Sequence, residues 1–195
     1  MAAIGLFFGS FNPIHVGHLI IANYMADYTN LDEIWFVVSP QNPFKEREEL
    51  LDENKRLALL ELAISGDKRF KTCAIEFDLP KPSYTASTLQ EITREFTMHQ
   101  FTLIIGGDNL QHFHLWKDYQ QILASHSVFV YARTGILEQQ NLINHPSVKL
   151  FEVPLLNISS SYIRQTIQAG KSIRYLVPEL VRLEIEKLKL YYLPK

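Results

Sequence analysis

Ala3-Ile4-Gly5-Leu6-Phe7-Phe8-Gly9-Ser10-Phe11-Asn12-Pro13-Ile14-His15-Val16-Gly17-His18 decides how this chain folds. Ala3 to Phe8 is a short, unbroken apolar run stopped by Gly9, the pattern of a strand buried on both faces. From His15 onward Val16, Leu19, Ile20, Ala22 and Met25 recur at helical spacing, and the pattern dies at the polar Tyr28-Thr29-Asn30. A buried strand that runs straight into a helix predicts the first half of a βαβ unit.

The same alternation continues along the chain. Strands are expected over Glu33 to Ser39 (stopped by Pro40), Phe70 to Phe77, Phe101 to Ile105, Ser127 to Tyr131 and Val148 to Phe151. Helices are expected over Asp52 to Ile64, with Leu57, Leu60 and Ile64 on one stripe, over Thr85 to Phe96, and briefly over Trp116 to Ile122. The fold class that follows is α/β, a parallel sheet with helices on both faces, because right-handed crossovers place them there. A tail from Pro178, with Val181, Ile185, Leu188 and Tyr192 interleaved with charges, reads as an amphipathic packing helix. Gln41 to Glu49 is polar and charge-dense and reads as an exposed loop. It follows directly on a strand C-terminus, where ligands of open α/β sheets bind.

Composition narrows the function. The chain has 195 residues, 47% hydrophobic, with 19 Lys+Arg against 21 Asp+Glu. That length suits one domain of 1–195, with a C-terminal helical portion from about 158. The balanced charge argues against holding a long nucleic acid by charge alone and leaves small anionic ligands open. Cys73 is the only cysteine, so no intrachain disulfide and no thiol metal cluster is available, which suits a reducing cytosol. Met1 to Phe11 lacks a basic leader and no window approaches the roughly 20 apolar residues of a membrane span. A cytoplasmic enzyme with small-molecule partners, no nucleic acid and no membrane is expected, with homo-oligomerisation left open.

The chemistry gathers at the turn after the first strand. Gly9 permits close backbone approach, and the helix start beyond it offers unpaired N–H groups and a positive dipole end that favour a phosphate. His15 and His18 are three residues apart, on one side of a helical turn, where both could donate to phosphate oxygens. Gly17 between them leaves room for a flat base or ribose. The same spacing also fits two other readings: a zinc-binding pair, though no Glu lies between the histidines and no Cys is near, or polar helix-start residues without chemistry.

Three further stretches stand out. Ile158-Ser159-Ser160-Ser161-Tyr162-Ile163-Arg164 begins a helix with a serine cap and carries an Arg within reach of the helix start, where its guanidinium would match phosphate oxygens. Ile104-Ile105-Gly106-Gly107-Asp108 ends a buried strand; it is either a capped tight turn or a ribose-reading corner. Trp116 is either core or a stacking platform.

The segment GSFNPIHVGH resembles the G-[ST]-F-[DN]-P-x-H-x-G-H element of the nucleotidyltransferase superfamily, and ISSSYIR resembles its I-S-S-T-x-I-R element. The resemblance implies a Rossmann-like, HIGH-type nucleotidyltransferase fold. It implies that His15 and His18 bind ATP around the α-phosphoryl group, and that Ile158, Ser159, Ser161 and Arg164 hold its β- and γ-phosphates. The turn backbone (Gly9, Ser10, Phe11, Asn12, Gly17) would contact both nucleotides.

Within that superfamily, Pro82-Ser83-Tyr84-Thr85-Ala86-Ser87-Thr88-Leu89 is similar to the P-S-Y-T-x-x-T-L element of the nicotinate-nucleotide adenylyltransferases, and F-I-I-G-x-D followed by Trp is similar to Leu103 to Asp108 followed by Trp116. The likeness implies that Tyr84, Thr85 and Trp116 take the pyridine nucleotide, that Gly106 and Asp108 contact ATP, and that Lys45 in the Ser39 to Lys45 loop approaches the phosphates and the pyridine nucleotide. The implied reaction is adenylyl transfer from ATP, carried with Mg²⁺, to nicotinate mononucleotide, with His15, His18, Lys45 and Arg164 as the catalytic set. Pantetheine-phosphate adenylyltransferase, which shares the turn and the Arg element but not the P-S-Y-T loop, is the nearest alternative; a non-catalytic nucleotide sensor is another.

Overall fold

The computed structural model describes residues 1–40, 50–132, 142–154 and 156–193. Six strands form one wholly parallel sheet: β1 (Ala3–Gly9), β2 (Glu33–Val38), β3 (Phe70–Cys73), β4 (Gln100–Gly106), β5 (Ser127–Ala132) and β6 (Val148–Glu152), in spatial order β3-β2-β1-β4-β5-β6. This is the strand order of a dinucleotide-binding α/β fold, and the order reverses between β1 and β4. Register aligns Gly9 with Val38 on one flank of β1 and Phe7 with Ile104 on the other, and Gly106 aligns with Tyr131, so the strand ends meet along one edge.

Helices cover both faces, as the alternation of buried strands requires. Alternate residues of each strand point to opposite sides. On one side Phe7, Ile34, Phe36, Ile104 and Phe129 pack with α1 (Val16–Tyr28), α2 (Glu53–Ile64), α6 (Ser160–Gln168) and α7 (Glu179–Leu188). On the other, Ile4, Leu6, Val37, Leu103 and Val128 pack with α3 (Thr85–Glu95), α4 (Gly107–Gln111) and α5 (Tyr119–Ser125). Local chemistry sets the helix starts: Asp52 accepts from Asn54 N (3.1 Å) and Lys55 N (3.3 Å), and Ser159 Oγ accepts from Tyr162 N (3.1 Å).

Four expectations shift. The third strand ends at Cys73 and gives way to a 3₁₀ turn over Ile75–Phe77, because Glu76 turns inward to meet hydroxyl partners. The helix expected from Trp116 begins only at Tyr119: Trp116 is extended (ψ 141°) and Asp118 is left-handed (φ 54°), which breaks the helical path. On α2 the buried stripe runs through Arg56, Leu59, Leu60 and Ile64, and Leu57 lies at its margin. The last helix stops at Leu188 with Lys189 left-handed (φ 53°), leaving Tyr192 outside the helix and 41% exposed. The loop expected over Gln41 to Glu49 lies outside the described residues. Among the described residues no helix is long and apolar enough to cross a membrane.

Candidate active site

The turn leaving β1 is built around a ring. Phe11 is left-handed (φ 43°), a conformation that costs about 1 to 2 kcal/mol in a residue with a side chain and must be held by its surroundings. It is 1% exposed, and its ring meets Phe7, Phe36 and His18 edge-on, the last at 5.1 Å between centroids. Its ring also covers Gly9, where a Cβ would lie 2.8 Å from the Phe11 ring carbons. Only glycine admits this ring, so the sequence of the turn and its strained backbone depend on each other.

His15 stands at the N-cap of α1 and is 5% exposed. Its imidazole stacks on that of His18, with centroids 3.7 Å apart and planes 27° apart, and its backbone N–H donates to His18 Nδ1 (3.3 Å). Among the described residues His15 Nδ1 is buried with no hydrogen-bond partner. Burial lowers the His15 pKa to about 4, so the ring is neutral at pH 7. Gly17 serves this pair more than it serves open space: a Cβ there would lie 3.1 Å from His15 Cε1 and Nδ1.

The start of α6 packs against the same turn. Arg164 Nη1 donates to Asn12 O (3.0 Å) and Nη2 to Ser161 Oγ (3.4 Å), and Ser160 Oγ donates to Pro13 O (2.9 Å). Ile158 is half-buried against the α1 side of the core, and Ser159 is occupied as the helix cap. Asn12 is buried, and its Oδ1 accepts from Leu51 N (3.3 Å), which ties the turn to the segment leading into α2. His15, His18, Ser10, Phe11, Asn12 and the Ile158 to Arg164 segment are therefore one cluster.

Beside this cluster a cavity of about 420 Å³ opens at the strand ends of β1, β2, β4 and β5. Gly9, Gly106, Tyr84, Thr85 and Trp116, all singled out in the sequence, line it. Trp116 is half-buried against Phe113, at 4.9 Å between rings, and leaves part of its face to the cavity. Asp108 is exposed in the first turn of α4, next to the cavity-lining Asn109. Lys45 lies outside the described residues.

Four residues that sequence reasoning passed over also shape the site. Arg56 is wholly buried: Nε donates to Leu51 O (2.8 Å), Nη1 to Ser10 O (2.5 Å) and Ser39 O (2.9 Å), and Nη2 to Pro40 O (3.2 Å). It ties together the turns that follow β1 and β2, and a signal existed, because it stands four residues before Leu60 on the apolar stripe. Glu76, 2% exposed, accepts from Ser83 Oγ (2.9 Å) and Thr88 Oγ1 (2.7 Å); burial pushes its carboxyl up, and these hydroxyls oppose that shift. Lys117 places Nζ 4.8 Å from the Tyr84 ring centroid at the cavity rim. Tyr131 lines the cavity floor, and burial, with Asp108 nearby, raises its phenol well above the ordinary value.

Comparison with known proteins places this arrangement. The cytidylyltransferase-like family model matches residues 6–166, a span that includes the histidine turn and Arg164. The probable nicotinate-nucleotide adenylyltransferase of Cytophaga hutchinsonii is 52% identical over 185 residues, covering 95% of this chain and 94% of the relative. This chain belongs to the nicotinate-nucleotide adenylyltransferase family. A second member, the probable nicotinate-nucleotide adenylyltransferase of Flavobacterium johnsoniae, is 46% identical over 179 residues, covering 91% of this chain and 93% of its own. The fold recurs in the Plasmodium falciparum nicotinic acid mononucleotide adenylyltransferase complexed with NaAD, at a TM-score of 0.79 and 20% identity over 98% of both chains. The two relatives align over 95% and 91% of this chain, well beyond the length of the nucleotide turn alone.

Proposed function

We propose that this protein transfers the adenylyl group of ATP to nicotinate mononucleotide, forming nicotinate adenine dinucleotide and releasing pyrophosphate, a step of NAD biosynthesis carried out in the cytoplasm. What supports this reading is the meeting of two features at Gly9: the histidine and arginine cluster around the turn, and a cavity walled by Tyr84, Thr85 and Trp116. One suits a triphosphate and the other a flat ring carrying a phosphate, and they adjoin at the point where strand order reverses.

The attacking group, the 5′-phosphate of the mononucleotide, is already an anion at neutral pH, so the reaction calls for no general base. A new bond forms from that oxygen to the α-phosphorus, and the bond from the α-phosphorus to the bridging oxygen breaks with departure of pyrophosphate. Catalysis then consists of positioning and charge stabilisation. His15 and His18, stacked side by side, present ring nitrogens to adjacent oxygens of the α-phosphoryl group. Arg164, held across the turn by Asn12 O, and Lys45 neutralise the leaving pyrophosphate. Ser159, Ser161 and Ile158 line the path of the β- and γ-phosphates, and Gly106 and Asp108 receive the ATP ribose. Trp116 stacks on the pyridine, with Tyr84 and Thr85 closing the other side. ATP enters as its Mg²⁺ complex, the ion being held by phosphate oxygens and water as part of the substrate.

Pyrophosphate release measured with Mg-ATP and, in turn, nicotinate mononucleotide, nicotinamide mononucleotide and 4′-phosphopantetheine tests the reading. Turnover with the nicotinate compound is expected. Turnover confined to phosphopantetheine, or ATP binding with no transfer to any acceptor, would overturn it.

A further inference from the structure

Glu76 is a carboxylate that the proposed chemistry does not use. It is 2% exposed, no cation pairs with it among the described residues, and yet it lines the cavity together with Ser83, Tyr84 and Thr85. A buried carboxyl without a counterion is costly unless hydroxyl or amide donors surround it. Here the donors come from both ends of the segment that forms the cavity wall: Ser83 Oγ lies 2.9 Å from Oε2 and Thr88 Oγ1 lies 2.7 Å from Oε1. The Ser39 hydroxyl at the end of β2 reaches the same carboxyl, while the Ser39 carbonyl is held by Arg56.

Tyr84 and Thr85 are the residues between those two anchors. Tyr84 is the N-cap of α3 and has no side-chain cap hydrogen bond, so the helix start is not fixed by an ordinary capping contact. Thr88 is wholly buried, and its hydroxyl lies 2.7 Å from Glu76 and 3.2 Å from Tyr84 O, linking the carboxyl to the backbone of the cap residue itself. We propose that Glu76 is a positioning residue for the pyridine nucleotide: by holding Ser83 and Thr88 it sets where Tyr84 and Thr85 stand against the bound ring, while among the described residues it bonds none of those assigned to ATP. This rests on the reading of the cavity as the pyridine-nucleotide site.

The test uses the full-length protein and initial rates in which ATP and nicotinate mononucleotide are varied separately, for the wild type, Thr88→Val, Glu76→Gln and Glu76→Ala, with melting temperatures recorded alongside. Thr88→Val, which keeps shape and loses the hydroxyl, is expected to raise KM for nicotinate mononucleotide about tenfold while leaving KM for ATP within about twofold, the scale of one hydrogen bond to a charged group. Glu76→Ala should move the same constant further. Glu76→Gln should restore it most of the way, because the amide oxygen and N–H₂ still bond both hydroxyls. Equal changes in both KM values, or a Glu76→Gln protein as impaired as Glu76→Ala, would overturn the proposal. If Glu76→Ala does not fold, Thr88→Val and Glu76→Gln decide by the same two criteria. A wild-type protein with no turnover on nicotinate mononucleotide would remove the functional reading and this proposal with it, whereas an active wild type whose variants show no split removes this proposal alone.

Discussion

The imidazoles of His15 and His18 lie one on the other, with centroids 3.7 Å apart, and the buried member of the pair is neutral at pH 7. The arrangement follows from three local facts. His15 occupies the N-cap in an extended conformation, Gly17 leaves space for its ring, and the Phe11 ring supports His18 from below at 5.1 Å.

Stability should fall in acid through His15. Its pKa is lowered from 6.5 to about 4 on folding, so the unfolded chain binds a proton more readily between those values. The contribution is fully present above pH 6.5 and is lost as pH falls toward 4. Between pH 7 and 4.5 it amounts to roughly 2 to 3 kcal/mol. Urea unfolding across this range should show a shallower acid loss for His15→Gln than for the wild type; parallel curves would sink the prediction.

His18→Ala should leave the fold intact and lower turnover by ~10²-fold or more, the scale of one lost donor to a developing anion. Pyrophosphate release and a melting curve on the same preparation check both halves. Wild-type turnover in the folded variant would remove His18 from the catalytic set.

Arg56→Met should unfold in urea with a loss of about 3 kcal/mol or more, because up to four carbonyls lose a charged donor in a dry site. Arg56→Lys keeps the charge but not the planar fork, and should recover only part of that stability. KM for ATP should rise in both variants, since Ser10 and Pro40 lose a common anchor. A loss below about 1 kcal/mol for the Met variant would contradict the clamp.

Trp116→Ala should raise KM for nicotinate mononucleotide about tenfold, the worth of an aromatic stack, with KM for ATP little changed. An unchanged constant would return Trp116 to a packing role against Phe113.

Much of the fold is legible in the sequence. Ala3 to Phe8 reads as a strand covered on both faces because it is a short unbroken apolar run stopped by Gly9, and the spacing of Val16, Leu19, Ala22 and Met25 reads as a helix; both patterns are properties of neighbours along the chain. The histidine turn, the Ile158 to Arg164 segment and the Pro82 to Leu89 loop stand out as motifs for the same reason: each is a set of closely spaced residues.

What the sequence by itself determined is therefore the alternation of elements and the set of local chemical groups. Tertiary structure alone decided which of them meet. Arg164 reaches Asn12 across 152 positions, Arg56 reaches Ser10 across 46, and Glu76 meets Thr88 across 12. The strand order that brings them together depends on crossover connections and not on any one segment's pattern. In the linear sequence Arg56 stands on the apolar stripe of α2 and Glu76 lies between Ile75 and Phe77, but nothing along the chain shows which partners would meet their charges. The two residues become internal braces only because folding removes water from around them and replaces it with hydroxyls and carbonyls from distant parts of the chain.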